Sequence, residues 1–230
     1  MFIEDKIFSK ALNKKMEISL FIPSECENIK LPVLYFLHGR TGNHKLIEQL
    51  DIENIVNKLV AEKKIKPFII VCPDMDNSRG INSSNEYKEV QGKYGTVHLG
   101  LYEDYLIKEI IPYIDKNYKT ICNRENRYIG GISSGGYIAL HNGLRHQDLF
   151  SKIGGHMPEW LLTKTKCWIT EFKVEKWYFV MWDNRWFSTD SLCCFGLWCY
   201  DWATYEVTDP DMIWKVMFRV FPNFGTDFYG

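Results

Sequence analysis

The chain has 230 residues and a net charge of −1, which suits one α/β domain with a sizeable core and lacks the basic balance of a nucleic-acid-binding protein. Glu4 and Asp5 interrupt the region where a signal peptide would need an apolar run, and no apolar run is long enough to span a bilayer. The seven cysteines are an odd number without the spacing of a disulfide scaffold, so we expect reduced thiols and a cytoplasmic location.

The first third of the chain predicts β-structure with one helix. Apolar residues alternate or cluster on both sides of a polar turn over residues 2–23, which is typical of a β-hairpin. Nearly unbroken apolar runs over 31–37 and 67–72 predict strands that are covered on both faces. Between them, residues 52–63 carry apolar side chains at helical spacing.

The middle of the chain continues to alternate between helix and strand. Residues 75–100 are polar without a clear period, which predicts a long lid or binding loop. An amphipathic helix over 101–118 follows, then a buried strand, a helix that ends near residue 145, and a short strand over 150–153. This order predicts an α/β fold, with a mostly parallel sheet and helices on both faces.

A Gly-x-Ser-x-Gly pattern, Gly131 to Gly135 with Ser133 at its centre, lies between a predicted strand and a predicted helix. The two glycines let the backbone turn sharply, so that Ser133 projects its hydroxyl above the sheet edge. The N-terminus of the next helix carries a positive partial charge towards the place where an oxyanion would form. A Gly/Ser turn that only links two elements is the alternative, but the flanking strand and helix favour a nucleophile elbow.

Several ordered motifs agree with this interpretation, and they lie at 32–39, 70–74, 102–114 and 130–136. Together they resemble the putative esterase family of α/β-hydrolases, whose relatives include S-formylglutathione hydrolases, feruloyl and acetyl-xylan esterases, and mycolyltransferases. The resemblance runs from about residue 8 to about residue 158. It implies an α/β-hydrolase fold and hydrolysis of a small-molecule ester or thioester through an acyl-enzyme, with no metal or organic cofactor.

The resemblance also implies roles for individual residues. Ser133 would be the nucleophile, and the backbone N–H groups of Ser134 and Arg40 would form the oxyanion hole. Two such donors stabilise the charge that develops on the carbonyl oxygen. We expect His38, at the end of a strand, to support its loop by hydrogen bonding rather than to act on substrate.

The catalytic triad is incomplete by the order that this fold requires, which is nucleophile, acid and then histidine. None of the six histidines follows residue 156. His156 is the remaining candidate base, with a structural or pocket-wall role as the alternative. Asp183 follows a candidate strand over 177–182 and is the candidate acid, with a turn residue as the alternative. We therefore expect impaired turnover; a catalytically inactive binding protein of this fold and an acyltransferase are the alternative functions.

The C-terminal segment, residues 159–230, differs in composition from the esterase-like core, residues 1–158. It contains all eight tryptophans and four of the seven cysteines. Three explanations compete for this change in composition: a frameshifted or non-homologous end, a genuine replacement domain, and an artificial segment. The first and third agree best with the lack of a C-terminal triad histidine. The Cys193, Cys194 and Cys199 cluster lacks a Cys-x-x-Cys pair or a nearby histidine, so no metal site is predicted there. The sequence leaves the oligomeric state open.

Overall fold

The computed structural model of the chain describes residues 1–23, 26, 28–92 and 95–156, together with the backbone of two short strands further on. The strands β1 to β10 are Phe2–Ser9, Lys14–Phe21, Val33–Leu37, Ile69–Pro73, Lys88–Gly92, Gly95–Leu99, Arg127–Ile132, Lys152–His156, Phe179–Val180 and Trp186–Phe187. The α-helices α1 to α5 are Leu46–Gln49, Ile52–Ala61, Tyr102–Asp104, Ile111–Asn117 and Ser134–Arg145.

A six-stranded sheet with the order β1-β2-β4-β3-β7-β8 forms the centre of the described structure. The last four of these strands run parallel, while β1 and β2 form an antiparallel hairpin at one edge. β3 and β4 are buried along their whole length, as their unbroken apolar runs predict. The mostly parallel sheet and the N-terminal hairpin are thus confirmed.

Helices cover both faces of this sheet. On one face, Leu106, Ile110 and Ile114 pack with Ile138 of α5 in a continuous apolar cluster. On the other face, Ile52 and its neighbours on α2 form a second cluster. This α/β architecture brings the carboxyl ends of β3, β4, β7 and β8 to one edge, where the loops that carry chemistry in such sheets begin.

The amphipathic helix predicted over 101–118 is present, but its middle is wider than an α-helix. A π-helical segment, Tyr105–Ile110, joins α3 to α4. Pro112 lies in the first turn of α4. Since proline has no N–H to donate, the regular α-helical hydrogen-bond series is interrupted at this position.

The prediction of one continuous loop over 75–100 is wrong for its second half. β5 and β6 pair as an antiparallel hairpin, with Val90 opposite Val97. The residues of β5 are almost all exposed, and Val90 is its only aliphatic side chain. A strand that is solvated on both faces has no alternation of apolar and polar residues, so its sequence looks like a loop.

β9 and β10 pair with each other as a separate antiparallel ribbon. β9 falls within the strand predicted over 177–182, whereas Asp183 and the proposed boundary at residue 158 lie outside the described residues. Among the residues that the structure describes, no helix has the length and apolar character needed to cross a membrane.

Candidate active site

Ser133 occupies a sharp turn between β7 and α5. Its backbone angles are φ 53° and ψ −116°, in a region that residues other than glycine rarely adopt. Tyr137 donates its N–H to the Ser133 carbonyl at 3.1 Å, while the Ser133 N–H reaches across to β8. Strained backbone of this kind persists only where the surroundings hold it, and it is concentrated at functional sites.

The two glycines of the motif are required by close backbone packing. A Cβ atom at Gly131 would lie 2.4 Å from the carbonyl of Gly135. A Cβ atom at Gly135 would lie 2.2 Å from the Leu37 carbonyl oxygen and 2.4 Å from that of His38. The helix start is therefore pressed against the end of β3, which only glycine allows.

The same packing places the loop after β3 beside Ser133. A Cβ atom at Gly39 would lie 3.3 Å from Ser133 Cβ and 3.9 Å from Ser133 Oγ. Arg40 follows directly, in a turn that the Gly42 N–H closes on the Gly39 carbonyl at 3.1 Å. Ser134, the other candidate donor, is the first residue of α5, where a backbone N–H has no acceptor within the helix.

His38 holds this loop in place by hydrogen bonding, as the sequence predicts. Its buried ring lies 2.8 Å from the Gly39 carbonyl oxygen through Nδ1, and its Nε2 accepts the Met75 N–H at 2.9 Å. Because Nε2 is an acceptor, the proton belongs on Nδ1, which donates to Gly39. A longer contact of 3.4 Å joins Nε2 to Asp74 Oδ1, but the shorter Met75 bond decides the tautomer.

His156 lies at the end of β8, in register with Ile132 at the end of β7. Its ring is buried, and its Nε2 has no hydrogen-bond partner in the part of the chain that the structure describes. Burial away from water lowers the pKa of His156 to about 4. Register partners in a parallel sheet point to the same face, and Ile132 packs with the α2 cluster.

The described residues therefore assemble part of the expected constellation. Ser133 and Ser134 lie beside the loop that carries Arg40. The backbone carbonyl of His156 accepts a hydrogen bond from the Ser133 N–H. No hydrogen bond joins Ser133 Oγ to a histidine ring among the described residues. Asp183, the candidate acid, is not among them.

Asp74 is the last residue of the 70–74 motif, but no role was predicted for it from the sequence. Its carboxylate accepts the Asp76 N–H at 2.8 Å through Oδ1 and lies beside two histidines, His38 and His44. Its place directly after a buried strand is the signal that could have drawn attention to it.

The chain is similar in sequence and in structure to known esterases. The family model described as "Putative esterase" matches residues 9–194, and so extends into the C-terminal segment beyond residue 158. The chain is 34% identical over 136 residues to an endo-1,4-beta-xylanase/feruloyl esterase from Xylanibacter ruminicola. That match covers 56% of this chain but only 18% of the relative.

Solved structures show the same likeness. A ferulic acid esterase is 28% identical with a TM-score of 0.59, over 69% of this chain and 59% of that one. An S-formylglutathione hydrolase from Agrobacterium tumefaciens is 18% identical with a TM-score of 0.53, over 69% and 58%, and it shows the shared fold alone. The chain thus spans less than two thirds of the length of each of these three proteins.

Proposed function

This chain belongs to the putative esterase family of α/β-hydrolases, and from this membership we propose that it cleaves carboxylic esters through an acyl-enzyme on Ser133. One observation carries the proposal: Ser133 lies in a sharp strand-to-helix turn with the strained backbone that a nucleophile elbow requires, and glycine is needed on both sides. The substrate is a small-molecule ester or thioester.

The reaction divides into two transfers. Ser133 Oγ adds to the carbonyl carbon as a base takes its proton, and the leaving alcohol departs with that proton. Water then attacks the acyl-enzyme, loses a proton to the same base, and releases the acid with the serine hydroxyl restored. The N–H groups of Ser134 and Arg40 hold the oxyanion in both steps, and losing one such donor typically costs about 3 kcal/mol of barrier.

We propose that the lack of an effective general base limits the turnover rate of this chain. A general base works best when its pKa is close to the working pH. His156, with a pKa of about 4 and its ring on the α2 side of the sheet, is poorly suited. The oxyanion hole and substrate binding alone can still leave roughly 10³–10⁴-fold acceleration over water.

Aromatic acyl groups are the first substrates to test. Two relatives with more than 25% identity to this chain are described as a feruloyl esterase and a ferulic acid esterase. We propose comparison of methyl ferulate with p-nitrophenyl butyrate and with an acyl thioester. Transfer of the acyl group to an alcohol instead of water is the acyltransferase variant, and added acceptor alcohols test it by product analysis.

The burial of His156 and the absence of any hydrogen bond from its Nε2 among the described residues favour a second candidate function. A protein that keeps the hydrolase fold without a working base would bind an ester or acid without turning it over. Calorimetric titration with ferulate tests this function independently of catalysis. We also propose a cytoplasmic location, which is supported by Cys72 and Cys122 being thiols rather than members of disulfides.

Intact-mass spectrometry tests the main proposal directly. After mixing with p-nitrophenyl butyrate, the chain should gain one butyryl group, and peptide mapping should place it on Ser133. Slow deacylation favours accumulation of this adduct. Equal acylation of Ser133→Ala would show that another group reacts and would overturn the assignment.

A further inference from the structure

A second cluster of ionisable side chains lies at the same edge of the sheet, between the β1–β2 hairpin and the loop after β3. Its members are Glu17 on β2, His44 in that loop and Asp74 directly after β4. His44 Nδ1 lies 3.4 Å from Glu17 Oε2 and 3.6 Å from Asp74 Oδ2. One ligand atom from each residue can be chosen so that all three lie within 4.8 Å of one another.

Each carboxylate is held by one oxygen and presents the other to His44. The Lys6 ammonium lies 2.6 Å from Glu17 Oε1, which leaves Oε2 towards the histidine. The Asp76 N–H donates to Asp74 Oδ1 at 2.8 Å, which leaves Oδ2 in the same position. Ligating groups in metal sites are oriented in this way by outer hydrogen bonds.

The ring of His44 is oriented in the same manner. Its side chain is only 6% exposed, and its other nitrogen, Nε2, lies 3.7 Å from Glu4 Oε1. A histidine that binds a metal usually directs its second ring nitrogen to a carboxylate. Nδ1 is buried and has no hydrogen-bond partner in the described part of the chain. If the ring proton lies on Nε2, towards Glu4, the Nδ1 lone pair faces two carboxylate oxygens, an arrangement that a cation between them would stabilise.

We propose that Glu17, His44 and Asp74 bind a divalent first-row transition-metal ion such as Zn²⁺. Two ligands at about 2.1 Å from a tetrahedral metal lie about 3.4 Å apart, close to the separations seen around Nδ1. One imidazole and two carboxylates are a suitable donor set, with water in the remaining position. Glu17 is 42% exposed, which gives the ion a path of entry from solvent.

A metal ion at this site would stabilise the loop that carries Arg40, whose N–H is a candidate oxyanion donor. Asp74 contacts His38 through Oδ1, and His38 in turn holds Gly39. His44 belongs to the same loop as Arg40. A metal ion bound by Glu17, His44 and Asp74 would thus link β2 and the end of β4 to this loop, without taking part in the reaction.

Cobalt titration of the metal-free full chain tests the site, because Co²⁺ replaces Zn²⁺ and has visible absorption. We expect one equivalent to bind without the thiolate-to-cobalt charge-transfer band that cysteine ligands would give. His44→Gln and the more exposed Glu17→Gln should abolish this binding. His146→Gln should retain it, because His146 lies just after α5 and contacts Glu103 of α3. Glu4→Gln should weaken it by about 10- to 100-fold.

Folding of each variant is checked by circular dichroism and urea unfolding in chelator. Glu17→Gln provides the decisive comparison if His44→Gln does not fold, because Glu17 lies at the surface. Equal cobalt affinity in the wild-type chain and Glu17→Gln, or a thiolate band at the first equivalent, would overturn the proposal. So would a failure of millimolar Co²⁺ to bind, since a proton on Nδ1 would then supply the positive charge.

Discussion

The backbone N–H of Ser133 donates a hydrogen bond of 2.8 Å to the carbonyl oxygen of His156. The candidate nucleophile is thus held by the neighbouring strand as well as by the helix that follows it. This contact extends the β7–β8 register by one residue beyond Ile132 and fixes the direction in which the chain turns. The position of His156 is therefore important for Ser133 even if its ring takes no part in catalysis.

Gly135→Ala should destabilise the chain severely. The new methyl group would meet two backbone carbonyl oxygens at 2.2 and 2.4 Å, and neither can move without shifting β3. We expect a loss of at least about 3 kcal/mol in the free energy of unfolding, measured by urea. Gly95→Ala is the control, because a Cβ atom at Gly95 would meet no atom of the described residues within 4 Å, although its φ is +104°. This variant should lose only about 1–2 kcal/mol. A similar loss in both variants would contradict the packing argument.

His38→Leu should weaken both stability and acylation. It removes the hydrogen bonds to the Gly39 carbonyl and from the Met75 N–H, at a cost of about 2–3 kcal/mol in urea unfolding. A looser Gly39 also displaces the neighbouring Arg40 N–H, so Ser133 should acylate more slowly. His141→Leu on α5 is the control for acylation and should leave its rate unchanged. Unchanged acylation in a folded His38→Leu chain would show that the loop does not need this support.

His156 should make stability depend on pH below neutrality. Its pKa falls from 6.5 to about 4 on folding, so the unfolded chain binds more protons between these values. The stabilisation is therefore complete above pH 6.5 and is lost as the pH falls towards 4. Between pH 7 and pH 5 the wild-type chain should lose about 2 kcal/mol more than His156→Leu.

Urea unfolding of both chains at the two pH values checks this. The carboxylates are shared by the two chains, so their effects cancel in the comparison. An identical pH dependence would show that the ring is hydrated or paired in the native protein.

Added imidazole should accelerate ester cleavage by the wild-type chain. If the chain lacks an effective base, a small imidazole can take the proton from Ser133 in its place. The rate with p-nitrophenyl butyrate should rise with imidazole concentration by more than the rise seen for Ser133→Ala, which measures direct attack by imidazole. Parallel increases in the two chains would mean that the absent base is not what limits turnover.

Local patterns were sufficient to predict the sharp turn at Ser133 and most of the sheet. Gly131, Ser133 and Gly135 lie within five consecutive residues, between a buried apolar strand and a helix with an apolar face. The buried strands β3 and β4 are equally visible as unbroken apolar runs. In each case the physical cause, a sharp turn or burial on both faces, acts on neighbouring residues.

The features that sequence did not predict depend on distant or exposed residues. The β5–β6 hairpin is exposed, so no alternation marks it. Glu17, His44 and Asp74 are far apart in the chain and meet only because β2 pairs with β4, where the Asp74 N–H donates to the Glu17 carbonyl at 2.9 Å. No local pattern carries that pairing.

Steady-state hydrolysis of p-nitrophenyl butyrate by the wild-type chain and by Ser133→Ala tests the central claim most directly. We predict a slow rate, well below the order of 10 per second typical of enzymes, that falls to background in the variant. Turnover at ordinary enzyme rates would contradict the proposed impairment and make His156 the first base to replace. Equal rates in the two chains would contradict the assignment of Ser133 as the nucleophile.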